Sequence, residues 1–136
     1  MKKVLLSIVV ICLAVSACNA KSNQGSAALL GSWKLTSYGS AASPTPAVSG
    51  TEAGLTFKED ETVSGNSGCN GFGGNYKVQG DQVAFDQIVS TLMACDDPRM
   101  KQENVVQKVL SGTAIFKMEG NRLTLTNNDM VLVLEK

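Results

Sequence analysis

Histidine does not occur among the 136 residues, and aromatic side chains make up only 5% of them. Histidine is the commonest general base at neutral pH and a frequent metal ligand, so a chain without it lacks the usual means of acid–base catalysis and zinc binding. The adjacent carboxylates Asp96 and Asp97 are explained by helix capping, and no phosphate-binding loop is present. The sequence therefore predicts no enzyme activity, no catalytic residue, no metal and no cofactor.

Neither sign of charge dominates. The chain has 12 Lys and Arg against 12 Asp and Glu, and removal of Lys2 and Lys3 with an N-terminal leader leaves 10 against 12, a net charge of −2. Nucleic-acid-binding domains carry a basic face that attracts phosphate, and no such cluster stands out here. No nucleic-acid partner is predicted.

The N-terminus has the organisation of a signal peptide. Two lysines precede an uncharged apolar run, Val4 to Val15, which is shorter than the about 20 residues needed to span a bilayer. Residues 15–18 (VSAC) resemble the lipobox of bacterial lipoproteins, in which cleavage precedes the cysteine and its thiol carries diacylglycerol. Ordinary secretion with cleavage nearby is the alternative. We expect a signal peptide over residues 1–17 and a membrane anchor through lipidated Cys18.

The remainder is predicted to be a tether, residues 18–30, followed by one domain, residues 31–136. The tether is rich in Ser, Ala, Asn and Gln and shows no apolar periodicity. Asn19 rather than Asp follows the lipobox cysteine, which in Gram-negative lipoproteins favours the outer membrane. The expected location is the cell envelope, facing the periplasm if the cell is Gram-negative.

Export also determines the state of the cysteines. Cys12 leaves with the leader and Cys18 carries lipid, so Cys69 and Cys95 remain in the domain. In an oxidising compartment this pair predicts a disulfide. Closing the loop between them corresponds to roughly 3.5 kcal/mol of stability in the chain-entropy description.

Cys69 lies in the most unusual segment, GNSGCNGFGGNY over residues 65–76. Gly and Asn adopt positive φ with little strain, so the composition predicts tight turns, a bulge or close approach of two backbones rather than a strand or helix interior. Asn66 and Asn70 are interpreted as turn residues whose amides hold backbone groups. Cys95 lies in a second unusual segment, residues 90–98, and the two segments are predicted to form the structural centre.

Alternating apolar and polar residues predict about eight short strands. Trp33 is predicted to anchor the core, and Gly39 to Gly50 to form a mobile loop. Gly80-Asp81 is typical of a two-residue hairpin turn. The strands predicted after the glycine-rich segment are residues 76–79, 82–85, 88–91, 113–118, 122–126 and 131–135.

One helix is predicted, with Asp97 as N-cap and Pro98 as its first residue. Val105, Val106, Val109 and Leu110 share one face, while Lys101, Gln102, Asn104 and Lys108 are polar. Glu103 is either a solvated charge or reaches back to the glycine-rich turns. The predicted fold class is α+β, mostly β: a curved antiparallel sheet or partly open barrel of about eight strands with one helix packed on it.

These segments together resemble the META domain of the HslJ heat-inducible bacterial lipoproteins. The resemblance extends from about Leu30 to Lys136, and its most specific elements are Gly68-Cys69-Asn70 and Met93-Ala94-Cys95 at this separation. Leu92 departs from the pattern, because many members have a basic residue there. The other matching segments are Gly31 to Leu35, Val63 to Ser67, Gly74 to Tyr76, Thr91, Glu103 and Leu123 to Leu125.

The resemblance implies a β-rich domain with one helix, an envelope location, and an association with heat stress and novobiocin resistance, without an established enzyme activity. We therefore expect a non-enzymatic envelope lipoprotein that binds or steadies a protein or lipid partner at the membrane. The alternative is a module for a small apolar ligand or an inhibitor of an extracellular hydrolase. A roomy apolar groove between helix and sheet would favour the ligand module, whereas a filled core with an exposed apolar patch would favour a protein partner.

The glycine-rich centre is predicted to be a structural unit, with partner binding elsewhere on the domain. Each residue type there has a conformational role that needs no ligand, since Gly and Asn form turns and Cys cross-links. The residues assigned to this unit, besides the two cysteines, are Asn66, Gly68, Asn70, Thr91 and Glu103.

Overall fold

A computed structural model describes residues 22–136, with side chains described from residue 25 onward. The predicted signal peptide and Cys18 lie outside the described residues. Within them the chain forms two helices and nine strands. In chain order these are α1 (Ser22–Leu29), β1 (Gly31–Ser40), β2 (Ser43–Pro46), β3 (Gly54–Phe57), β4 (Thr62–Asn66), β5 (Gly71–Gln79), β6 (Gln82–Ser90), α2 (Asp97–Val109), β7 (Gly112–Glu119), β8 (Arg122–Asn127) and β9 (Met130–Glu135).

The nine strands form one antiparallel sheet that closes on itself. β1 pairs with β3 along one edge and with β9 along the other, and β3 to β9 follow one another in chain order. Eight strands therefore form a barrel, and β2 is an additional strand that pairs with Ser37–Ser40 of β1. The predicted mostly β fold class is confirmed, and the barrel is closed.

The interior of the barrel is filled by alternate residues of each strand. Leu55 and Phe57 of β3 and Leu123 and Leu125 of β8 are buried, while the residues between them are partly exposed. Trp33 is only 2% exposed, as its predicted core position requires. The period-2 pattern of the sequence thus gives the core directly, because successive strand side chains point to opposite faces.

One open end of the barrel is covered by α1. Leu29 is fully buried, its carbonyl accepts the indole N–H of Trp33 at 2.6 Å, and Gly25 packs against Val78 and Phe116. The composition of this segment predicts a tether, but residues 22–29 form a helix. A helix of eight residues is too short to show its own apolar periodicity, and its burial comes from the barrel.

The opposite end is covered by α2, whose Val106, Val109 and Leu110 join the core. The N-cap is Asp96, not Asp97 as predicted. Asp96 has an extended backbone, with φ −64° and ψ 159°, and its carboxylate accepts the Arg99 N–H at 3.1 Å. Pro98 is tolerated within the first turn, since N–H groups there have no helical partner.

The segment predicted to be a mobile loop, Gly39 to Gly50, contains β2 instead. Pro44 and Pro46 lie in β2, which pairs with β1 alone. Proline cannot donate to a sheet ladder, so it is compatible with an edge strand of this kind. The two prolines suggested a loop, but here they are typical of a strand at the edge of a sheet.

Most of the glycine-rich segment is also strand, contrary to the prediction. β4 ends at Asn66 and β5 begins at Gly71, so only residues 67–70 form a turn. Glycine is needed at Gly65 because a Cβ there would overlap the Gly54 carbonyl oxygen and lie 2.7 Å from the Phe72 ring. The predicted close approach of two backbones thus occurs between paired strands.

The predicted separate strand over residues 88–91 is the continuation of β6. The register between β5 and β6 shifts between Gly73 and Asn75, where Gln87 has a positive φ of 51°. Such a bulge interrupts the alternation of side chains, so the sequence pattern resembles two short strands.

Substitution of Gly65 by Ala tests the close approach. We expect Gly65→Ala to lower the free energy of unfolding by on the order of 3 kcal/mol, since two strands of a closed barrel must separate to admit the methyl group. Gly73→Ala is the matched control, because a Cβ there lies 3.8 Å from the nearest atom, the Val63 carbonyl oxygen. Denaturant titration of both variants measures the difference, and equal stabilities would contradict the packing at Gly65.

Candidate functional site

Five polar side chains from three segments meet where the 67–70 turn contacts α2. We call them the polar cluster: Ser67, Asn70, Thr91, Gln102 and Glu103. Four of the five are buried, with exposed fractions between 0% for Gln102 and 2% for Ser67 and Glu103. Burial of polar groups is unfavourable unless each is hydrogen-bonded, so the contacts of each decide what the cluster does.

Glu103 is the centre of the polar cluster. Its Oε2 accepts the Ser67 hydroxyl at 2.8 Å and the Asn70 backbone N–H at 3.1 Å. The Asn70 amide donates to both carboxylate oxygens, at 2.9 and 3.0 Å, and Gln107 donates to Oε1 at 3.1 Å. Of the two interpretations left open, the structure shows the one in which Glu103 reaches back to the glycine-rich turn. Hydrogen bonds to an ionised acceptor of this kind are stronger than neutral ones.

Asn70 connects that carboxylate to the segment that follows β6. Its Oδ1 accepts the Thr91 hydroxyl at 2.8 Å and the Met93 backbone N–H at 2.7 Å. Its Nδ2 donates to the Met93 carbonyl at 3.1 Å as well as to Glu103. One amide side chain therefore fixes three parts of the chain: its own turn, the segment around Met93, and α2.

Gln102 belongs to the polar cluster and was not predicted. Its Nε2 donates to the Ser67 carbonyl and its Oε1 accepts the Val48 N–H, both at 2.7 Å. Gln102 lies four residues before Val106 and therefore on the apolar face of α2, and this spacing could have predicted that it is buried. The residue joins the loop after β2 to the 67–70 turn.

The turn itself is held by local contacts. The Asn66 Oδ1 accepts the Gly68 N–H at 2.6 Å, which is an Asx turn. Gly68 has a φ of +104°, and a Cβ there would overlap the Gln102 amide. The predicted disulfide is present: Cys69 and Cys95 are joined, with their Cα atoms 6.0 Å apart. The bond ties the turn to the segment that enters α2.

The polar cluster offers no obvious reaction. Among the described residues, no buried side-chain nitrogen or oxygen lacks a hydrogen-bond partner, and no group of three or more Asp, Glu or Cys is arranged to hold a metal ion. The donors around Glu103 are occupied by contacts within the chain rather than directed into a cleft. The arrangement is suited to holding the turn, the segment after β6 and α2 in one geometry.

Two groups with shifted pKa values lie near the α1 end of the barrel. Hydrogen bonds from the Thr62 hydroxyl and N–H lower the pKa of the exposed Asp60 carboxyl. Burial raises the pKa of the Tyr76 hydroxyl, and the nearby charges of Glu61 and Asp60 add to that effect. The Tyr76 hydroxyl donates to the Lys58 carbonyl at 2.8 Å. Both shifts follow from local hydrogen bonds and packing of the turn between β3 and β4.

The space between α2 and the barrel is filled. A cavity there has a volume of about 10 Å³ and is lined by apolar residues that include Leu35, Val106 and Leu132. Pockets for small ligands have volumes of roughly 300–1,000 Å³. This space is therefore too small for such a ligand.

Large apolar side chains are exposed beside the polar cluster instead. Val89, Leu92 and Met93 are 70%, 91% and 58% exposed. We call these three residues the apolar patch. An open groove of about 640 Å³ adjoins it on the outer face of β4, β5 and β6, lined by residues that include Gly71, Phe72 and Gly73. Exposed apolar groups at one place on a domain are typical of a contact surface.

No helix within residues 22–136 is long and apolar enough to cross a membrane.

The fold and the polar cluster define a class of protein: a small closed β-barrel with a helix at each end and a buried hydrogen-bonded clamp between turn and helix. The META domain family matches residues 27–136, which is most of the chain. The chain therefore belongs to the META domain family. No curated protein matches it significantly.

Solved structures with the same fold are known. An NMR structure of a protein from Burkholderia xenovorans is 22% identical, with a TM-score of 0.66, over 99% of this chain and 97% of its own. A crystal structure of a DUF4847 family protein from Bacteroides vulgatus is 16% identical, with a TM-score of 0.57, over 79% of this chain and 92% of its own. At these identities the likeness shows the fold alone.

Proposed function

We propose that this protein is a non-enzymatic lipoprotein of the cell envelope that binds or steadies another protein there, with a role in heat-stress or novobiocin tolerance. The observation that carries the binding role is the combination of a filled interior with the exposed apolar patch. The predicted ligand module requires a roomy apolar groove between helix and sheet, whereas a protein-binding module requires an exposed apolar surface. The first is far too small here and the second is present.

The envelope location is supported by the N-terminal sequence and by the disulfide. The uncharged run before Cys18 is typical of a lipoprotein signal peptide, and disulfides persist in oxidising compartments outside the cytosol. Two or three acyl chains on Cys18 would exceed the two signals needed for stable membrane anchoring. Cys18 is thus the proposed contact with the membrane, and the domain is free to contact a protein.

Substitution of Cys18 tests the anchor. We expect Cys18→Ser to be released or mislocalised, because it has no thiol to carry lipid, and globomycin to accumulate the wild-type precursor, because it blocks cleavage of the leader. Cys12→Ser is the matched control, since the leader containing Cys12 is removed, and it should fractionate like the wild type. An unchanged membrane fraction for Cys18→Ser would contradict lipid anchoring.

The binding role is tested by crosslinking in intact cells. Wild type and Val89→Lys are compared in a deletion strain, with recovery of crosslinked partners and survival under heat and novobiocin as readouts. We expect the charged variant to melt like the wild type but to lose both a specific crosslink and tolerance. If cells that carry Val89→Lys show full tolerance, a function that depends on the apolar patch is contradicted.

A further inference from the structure

The part of β6 that lies next to the apolar patch is paired with a strand on one side only. β7 pairs only with Gln82–Phe85 of β6, so residues 86–90 have β5 on one side and no strand on the other. α2 packs mainly against β1, β7, β8 and β9, and Val89 in this part of β6 is 70% exposed. We call residues 88–92 the β6 edge.

The main chain of the β6 edge directs hydrogen-bonding groups outward. The Thr91 N–H donates to the Gly71 carbonyl at 3.0 Å. Since residues of an antiparallel pair alternate between facing their partner and facing away, the N–H and C=O of Ser90 point away from β5. Thr91 and Met93 both face the glycine-rich turn, so the main chain of Leu92 between them also faces away. No side chain or loop of the described residues hydrogen-bonds to Ser90 or Leu92.

Two other free edges of the sheet are protected. β2 carries Pro44 and Pro46, which cannot donate to a further strand. The end of β5 near Val78 is covered by α1. The β6 edge has neither protection, and Val89 and Leu92 on it and Met93 beside it are apolar and exposed. Unprotected edges of this kind accept an additional strand.

We propose that the β6 edge binds an extended, apolar peptide segment of a partner protein as an added β-strand. This rests on the proposed binding function and names its surface and the chemistry of its ligand. Ser90 and Leu92 supply main-chain hydrogen bonds, Val89 and Met93 contact the partner's side chains, and the groove over Gly73 receives one of them. Main-chain bonding gives affinity and the alternate side chains give selectivity in such complexes.

Charge selects the kind of peptide. Residues 87–95 contain no charged side chain. The exposed Asp86 precedes this stretch, and Asp96, which is paired with Arg99, and the exposed Asp97 follow it. Opposite charges across an interface favour the right partner and orient it. The ligand is therefore an apolar segment flanked by basic residues. The same carboxylates oppose binding to an anionic lipid surface, which attracts basic side chains.

The size of the β6 edge excludes a stable dimer through it. Five residues extend about 17 Å, whereas a stable protein–protein interface contributes about 20–30 residues a side. A second copy of this chain would gain too little contact here, but a single peptide strand needs no more than this length.

The test uses the full-length chain, purified in mild detergent, and a fluorescein-labelled nine-residue peptide of alternating threonine and valine with a lysine at each end. Ser90→Pro removes the outward N–H while sparing the ladder with β5, as prolines do in β2. We expect the dissociation constant to rise about tenfold for Ser90→Pro and for Val89→Lys. Ile115→Lys is the matched control: Ile115 is 53% exposed, but β7 is paired on both sides at this residue. It should bind within about twofold of the wild type.

A second measurement changes the peptide backbone and uses only the wild-type protein. It therefore does not depend on whether a variant folds. A peptide N-methylated at alternate residues cannot form the added ladder on that edge, and its binding should be lost. A peptide with glutamate at both ends should bind several-fold more weakly. Equal binding of the methylated and unmethylated peptides would overturn the proposal.

Two other occupants are distinguished in the same experiment. Dimerisation that Ser90→Pro abolishes would make a second copy the ligand, and binding to phosphatidylglycerol vesicles that Val89→Lys changes but Ser90→Pro does not would make it a lipid surface. Either result would overturn the peptide assignment. If crosslinked partners are recovered equally with wild type and Ser90→Pro, the binding function stands and the β6 edge is not its site.

Discussion

Asn70→Asp should lower the free energy of unfolding by about 3–5 kcal/mol, although it changes neither the shape nor the size of the side chain. In the wild type the Asn70 amide donates to both Glu103 oxygens, at 2.9 and 3.0 Å, and to the Met93 carbonyl. An aspartate would bring a second carboxylate against the first in a buried site and would have no proton to donate. The expected loss exceeds that of an ordinary hydrogen bond, about 1 kcal/mol, because like charges are brought together.

Chemical denaturation of Asn70→Asp measures this loss, with Asn104→Asp as the matched control. Asn104 is exposed on α2, so the same change there should alter stability by no more than about 0.5 kcal/mol. Adding Glu103→Gln to Asn70→Asp restores one donor and leaves a single charge, so the double variant should recover on the order of 1 kcal/mol over Asn70→Asp. Equal stability of Asn70→Asp and the wild type would contradict the hydrogen-bond assignments in the polar cluster.

The same variants separate a structural role from a binding role. If the polar cluster only holds the fold, the proposed tolerance to heat and novobiocin should fall in proportion to the amount of folded protein. A variant such as Glu103→Gln that melts like the wild type but fails to restore tolerance would make the polar cluster itself the binding site.

Removal of the disulfide is the second large expected effect. The double variant Cys69→Ala/Cys95→Ala should lose about 3.5 kcal/mol of unfolding free energy, because the cross-link closes a loop between residues 26 positions apart in the sequence. Both cysteines are replaced together, since one remaining thiol could form intermolecular disulfides. Urea titration of the variant and of the oxidised wild type gives the difference.

Reduction of the unfolded wild type provides the control for the disulfide. Refolding under reducing conditions should give the same stability as the double variant. The disulfide and Asn70 both hold the segment between β6 and α2, so combining their substitutions should cost less than the sum of the two effects. Two free thiols per exported chain, found by mass after alkylation without reductant, would refute the bond.

The alternation of apolar and polar residues correctly predicted the strands in which this alternation is regular. The hairpin at Gly80-Asp81 and the last three strands lie where the pattern predicts, because period 2 reports directly which side chains face the core. Residues Val131 to Leu134 of the last strand are all apolar, which is typical of a central strand, and β9 lies between β8 and β1. The residues Asp96, Asp97 and Pro98 also predicted the start of α2 correctly to within one residue.

Where tertiary contacts decide the outcome, the sequence pattern was insufficient. Glycines in β4 and β5 looked like loop residues, yet they are in strands because two backbones approach too closely for a side chain at Gly65. Ser22–Leu29 looked like a tether, yet it is helical because the barrel offers Leu29 a buried position. Neither fact can be read from neighbours along the chain.

The sequence alone determined which residues form the regularly alternating strands and which two cysteines could pair, and it left two positions for Glu103, at the glycine-rich turn or in solvent. Only the tertiary structure decided between those two positions for Glu103, closed the barrel through β1 and β9, and left the β6 edge without a neighbour. The physical reason is that alternation and turn chemistry act over a few residues, whereas closure, buried polar contacts and free edges depend on segments far apart in the chain.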